Sequence, residues 1–112
     1  MAAEYHCVIA VTGAIDYITD GRQLVKLHNG HPMMARVTGM GCTATALIGA
    51  FLAISPSPLE ATVAALACLG VAGERASRDG SGPGSLQAYL LNELYQLNAE
   101  ILNAELDVTL GA

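Results

Sequence analysis

The run Cys7-Val8-Ile9-Ala10-Val11 constrains the fold more than any other stretch. It is continuous, apolar and rich in β-branched residues, with no polar alternation. Such a run reads as a strand buried on both faces. It therefore calls for neighbours on both edges and helices above and below, which is an α/β arrangement. Thr12-Gly13 ends the run. Ile15–Thr19 and Arg22–Leu27 then flank Asp20-Gly21, a two-residue hairpin signal. Asn29-Gly30 and His31-Pro32 make a turn-rich loop, and a short extended piece at Ala35–Val37 leads out of it.

Three helices are expected next. The first covers Cys42–Ile54, is apolar all round, and so reads as interior. The second begins at Ser57-Pro58-Leu59-Glu60, with Ser57 as N-cap, Pro58 at the first helical position and Glu60 closing a capping box, and runs to Ser77. Asp79–Ser85 is a glycine-rich linker. The third covers Leu86–Leu102, with Leu90, Leu94, Leu97 and Ile101 on one face and Gln87, Glu93 and Glu100 on the other. One hairpin and three helices do not complete the surroundings of an interior strand. The missing neighbours are expected from another chain, or from a larger domain of which this is the C-terminal part.

Composition narrows the function. At 53% hydrophobic and 13% charged, the 112 residues form one domain or part of one, not a disordered segment. The net charge is −5, and Arg22, Lys26, Arg36, Arg75 and Arg78 form no cluster. Nucleic acid and anionic membranes are thus poor partners. Cys7, Cys42 and Cys68 have no pairing pattern, which fits a reducing compartment and a cytoplasmic location.

The chemistry concentrates in Gly39-Met40-Gly41-Cys42. Two glycines let the backbone take positive φ and approach a ligand. The helix that follows offers free N–H groups and a partial positive charge to an anion. A thiol in that field ionises more readily. From the residues alone, Cys42 is either a small apolar filler or a reactive thiol. Cys7 and Cys68, in apolar runs, read as filler. His28 and His31 lack a second pair for a zinc site and read as loop residues, and Asp16 and Asp20 read as turn residues. Gly80–Ser85 lacks the lysine of a P-loop. A cysteine nucleophile or redox protein ranks last, because no Cys-x-x-Cys pair or Cys–His partner stands out.

Val8–Gly21, Asn29–Met34, Val37–Cys42, Ala72–Ala76 and Gly82–Ser85, in this order, resemble the C-terminal half of hydroxyethylthiazole kinases, members of the ribokinase-like superfamily. The resemblance implies that residues 1–112 are a single partial domain. Its fold would be the C-terminal portion of a three-layer α/β/α fold with one buried strand, a hairpin and three helices. It implies transfer of the γ-phosphoryl of ATP to the primary alcohol of 4-methyl-5-(2-hydroxyethyl)thiazole, toward thiamine. Cys42 would be the base, Gly39 the substrate contact, Thr12 the ATP contact, and Met40 and Gly41 the anion cradle. Met40 stands where the family usually has threonine. ATP and Mg2+ are the implied cofactors, with the metal ligands outside this chain. A homotrimer or a complementary N-terminal segment is the implied partner. The alternative is a non-catalytic truncated kinase-like fragment that associates with itself.

Overall fold

A computed structural model of the chain describes residues 2–37, 39–79 and 82–111. The elements run α1 (Ala2–Tyr5), β1 (Ile9–Val11), β2 (Asp16–Thr19), β3 (Leu24–Leu27), a 3-10 helix (Pro32–Arg36), α2 (Met40–Ile54), α3 (Pro58–Asp79), α4 (Pro83–Gln96), α5 (Ala99–Glu105) and β4 (Val108–Gly111). The α/β class expected from the sequence is present. The four strands form one antiparallel sheet in the order β1-β2-β3-β4.

Helix α3 is the axle. Its small buried residues, among them Ala65, Ala72 and Ala76, let neighbours come close on several sides. One side meets Ile18, Val25 and Leu27 of the sheet through Leu59, Leu66 and Ala67. The other meets Leu86 and Leu90 of α4 through Leu69, Ala72 and Ala76. Ser57 caps α3 by accepting the Glu60 N–H at 3.3 Å. The reciprocal arm of the capping box is replaced, because the Ser57 N–H donates to Ser55 Oγ at 3.4 Å.

Several expectations fail, each for a local reason. The Cys7–Val11 strand is not buried. It shortens to β1, pairs only with β2, and leaves Val11 60% exposed. The row Ala10–Ile18–Val25–Leu110 crosses the sheet, and only its two central residues are buried, because α3 covers the middle strands alone. Cys7 is correspondingly exposed rather than a filler, while Cys68 is half-buried and its thiol is pushed up by that burial. The hairpin turn is longer than two residues. Thr19 pairs with Leu24, and Asp20 Oδ1 accepts the N–H groups of Arg22 and Gln23, both at 2.9 Å. Gly21 supplies the positive φ of 96° that this turn needs.

The segment Ala35–Val37 is not extended throughout. His31 Nδ1 accepts the Met33 N–H at 3.1 Å and starts the 3-10 helix in its place. Helix α2 is not interior. It buries no residue fully, and Ile54 is 81% exposed. It lies on α3 through Ala44 and Ile48 and has no second layer among the described residues. The third helix breaks into α4 and α5, because Asn98 accepts the Ile101 N–H at 2.9 Å and begins a new one. Strand β4 has no counterpart in the sequence reading.

Candidate active site

Gly39 has φ 83° and ψ 8°, a left-handed conformation that glycine alone adopts without strain. It caps α2. The first intrahelical bond is Thr43 N–H to Gly39 O at 2.9 Å. The N–H groups of Met40, Gly41 and Cys42 precede it and meet no acceptor among the described residues. A side chain on Gly39 or Gly41 would enter open space, so none of the described residues packs against the turn there.

The turn opens on a cleft of about 780 Å³. Thr12, Gly13 and Ala14 line one end, Asn29–Pro32 a second wall, and Leu66, Leu69 and Gly70 of α3 the floor. Thr12, Gly39, Met40 and Gly41 therefore line one cavity. Cys42 does not line it. Successive helical residues turn by about 100°, and Cys42 follows Gly41 around the helix into an exposed position. The described part of the glycine-rich linker, Gly82–Ser85, is also off the lining, and Gly80 and Ser81 lie outside the described residues.

Asp16 stands on the cleft and accepts the Gly13 N–H at 3.2 Å, fixing the turn that carries Thr12. Burial pushes its carboxyl above the usual carboxylate range, and the Gly13 N–H partly offsets this. Both loop histidines have structural partners. His31 caps the 3-10 helix, and His28 Nε2 lies 3.1 Å from Thr109 Oγ1.

The sequence reading missed the pair that holds the second wall. Asn29 is 5% exposed. Its Nδ2 donates to both Glu74 carboxylate oxygens at 3.1 Å and to Glu105 O at 2.8 Å, and its Oδ1 accepts the Asp107 N–H at 2.7 Å. The Gly30 N–H donates to Glu74 Oε1 at 2.8 Å. A carboxylate among alanine, glycine and leucine on a buried helix is a signal that a partner must exist. Next along α3, Arg75 reaches Glu93 at 2.8 Å and Glu105 at 2.7 Å, and Arg78 also reaches Glu105. The two guanidinium groups hold the Glu105 carboxyl below its ordinary range.

The profile of the hydroxyethylthiazole kinase family matches residues 1–100. The chain belongs to this family. It is 60% identical over 94 residues to a hydroxyethylthiazole kinase of Granulibacter bethesdensis, covering 84% of this chain and 34% of that relative. A hydroxyethylthiazole kinase of Aliivibrio fischeri aligns with all 112 residues at 51% identity, and here the match spans 41% of the relative. The solved structure of a hydroxyethylthiazole kinase protein from Pyrococcus horikoshii superposes with a TM-score of 0.95 at 40% identity, over 99% of this chain and 43% of that one. The chain thus has the fold of one portion of a ribokinase-like kinase, and spans well under half the length of the relatives it matches.

Proposed function

We propose that this chain is the C-terminal part of an ATP-dependent kinase that phosphorylates the primary alcohol of 4-methyl-5-(2-hydroxyethyl)thiazole in thiamine biosynthesis and salvage. One observation carries this reading. A left-handed glycine turn, whose Met40 and Gly41 N–H groups meet no acceptor among the described residues, stands on a cleft that also holds Thr12, in a chain of this family. Phosphoryl transfer needs positioning and charge stabilisation more than covalent help from the protein. The N–H groups of Met40, Gly41 and Cys42 suit the transferring phosphoryl oxygens. Gly39 contacts the thiazole alcohol and Thr12 the nucleotide. Cys42, in the same helical turn but off the cleft lining formed by this chain, takes the hydroxyl proton in a site that the remainder of the enzyme completes. The alcohol oxygen then bonds to the γ-phosphorus as the bond from that phosphorus to the bridging oxygen breaks, and ADP leaves.

Magnesium would neutralise phosphate charge in such a reaction. Among the described residues no group of three or more His, Cys, Asp or Glu gathers to hold a metal ion. We assign the metal ligands to the remainder of the enzyme. The exposed β1 edge and the open face of α2 are where that remainder, or further copies in a homotrimer, would pack. No described helix is long and apolar enough to cross a membrane, and the cytoplasm is the location we assign.

The test is a coupled kinase assay with ATP and the thiazole alcohol. In the complete assembly, Cys42→Ala should lower kcat by about 100-fold or more, the usual worth of a general base, and Cys42→Asp should keep activity. Residues 1–112 alone should be inactive and should self-associate in sedimentation. Equal turnover of wild type and Cys42→Ala overturns the base. Thiazole-dependent turnover by a compact monomer of this chain overturns the need for a remainder.

A further inference from the structure

We infer that Glu74 is a positioning residue for the nucleotide side of the cleft, acting through Asn29 and Gly30. This rests on the kinase reading above. Asp16 pairs with Leu27, so the turn carrying Thr12 and the segment after β3 leave the sheet at the same end. Both line the cleft. The second of these segments is held at its start by the His28 N–H, which donates to Asp107 O at 2.9 Å, and beyond that by side-chain bonds of Asn29 and Glu74. Glu74 Oε1 takes the Gly30 N–H at 2.8 Å, and both carboxylate oxygens take the Asn29 amide at 3.1 Å.

The fit is close from the other side as well. A Cβ on Gly70 would stand 3.0 Å from Asn29 Cβ and 3.2 Å from its carbonyl oxygen. Gly30 itself has φ 128°, which suits glycine and leaves the loop without an intrinsic preference for this shape. Glu74 does not line the cleft and so touches no ligand itself. What it does is fix where the wall stands. A wall moved by a fraction of an ångström changes the affinity of a nucleotide resting against it.

The test uses the full protein, a fluorescent N-methylanthraniloyl ATP, and amide hydrogen exchange at Gly30. Glu74→Ala should weaken nucleotide affinity about tenfold or more and speed Gly30 exchange at least as much, the scale of one hydrogen bond to a charged group. Glu74→Gln keeps one carbonyl acceptor and should fall between Glu74→Ala and wild type in both readings. Gly70→Ala, which leaves Glu74 intact and pushes on Asn29, should shift both in the same direction. Leu86→Ala is the control, since Leu86 neither lines the cleft nor bonds to Glu74, Asn29 or Gly30, and its truncation lowers stability in the α3–α4 core. An equal loss of affinity in Leu86→Ala, matched for melting midpoint, overturns the inference. So does unchanged affinity in Glu74→Ala and Gly70→Ala when wild type binds. A wild type that binds no nucleotide overturns the kinase reading itself, and this inference with it.

Discussion

On one wall of the cleft, the N–H groups of Met40 and Gly41 find no acceptor among the described residues. On the other, the Gly30 N–H ends on Glu74, and the Asn29 side chain makes hydrogen bonds to Glu74, Glu105 and Asp107. Both walls are short loops with a positive-φ glycine, at Gly39 and Gly30. They differ in where their hydrogen-bonding capacity goes. A buried donor left unpaired is costly, whereas one left facing a cleft is available to a ligand at no cost to the fold. The first wall therefore leaves its donors open, and the second uses them to stay in place.

That contrast is open to direct attack. The largest effect is expected on the second wall. Asn29→Ala strands the Asp107 N–H and Glu105 O and removes a donor from Glu74, so it should cost about 3 kcal/mol, several hydrogen bonds with one to a charged group. Chemical denaturation should show this as a lower midpoint with unchanged slope. A loss below about 0.5 kcal/mol, typical of a surface change, would mean that the wall is not held by this residue. Gly41→Val on the first wall should do the reverse. Its Cβ enters open space, so stability should hold, while the added bulk beside the free N–H groups should weaken nucleotide binding about tenfold, near 1.4 kcal/mol. Positive φ is not the reason here, since the left-handed residue is Gly39. Unchanged affinity in a titration would remove Gly41 from the cradle.

The smallest effect sharpens the comparison through pH. Arg75 and Arg78 hold the Glu105 carboxyl below its ordinary value. A lowered folded-state value means stability that is present above the unfolded value near 4.5 and lost as the pH falls through the folded one. Asp16, raised by burial, works the other way, favouring the fold most when protonated and losing that contribution as the pH rises through its folded value. Glu105→Gln should flatten the acid limb of the melting profile, and Asp16→Asn should not. An acid limb unchanged in Glu105→Gln would show that the ion-pair cluster is too well hydrated to matter.

What could be read beforehand follows the range of the interactions involved. The β2–β3 hairpin, α2 and α3 are specified by local patterns, such as Ser57-Pro58 at a helix start and Gly39 before an apolar run, and they stand where the residues indicate. Thr12 and Gly39 were named through the family resemblance and not through any local pattern, and with Met40 and Gly41 they line one cleft. Burial was not legible. The apolar character of Cys7–Val11 and α2 states what these segments need, and within this chain α3 satisfies only part of it. Strand β4 is too short and exposed to announce itself, and exists through its register with β3. The Asn29–Glu74 contact joins positions 45 apart, beyond the reach of any periodicity.

The bond from the Asp107 N–H to Asn29 joins positions 78 apart in the chain. Contacts this distant close late in folding, because a long loop must be ordered before they return any energy. During synthesis, residues 105–111 emerge after every residue of this chain that lines the cleft. Until they arrive, the amide of Asn29 lacks two of its partners and β3 lacks its outer neighbour. The nascent protein thus passes through a stage with its glycine turn formed and its opposite wall unset. The uncovered edge of β3 is at that stage the surface open to wrong pairing, and the one a chaperone would need to shield.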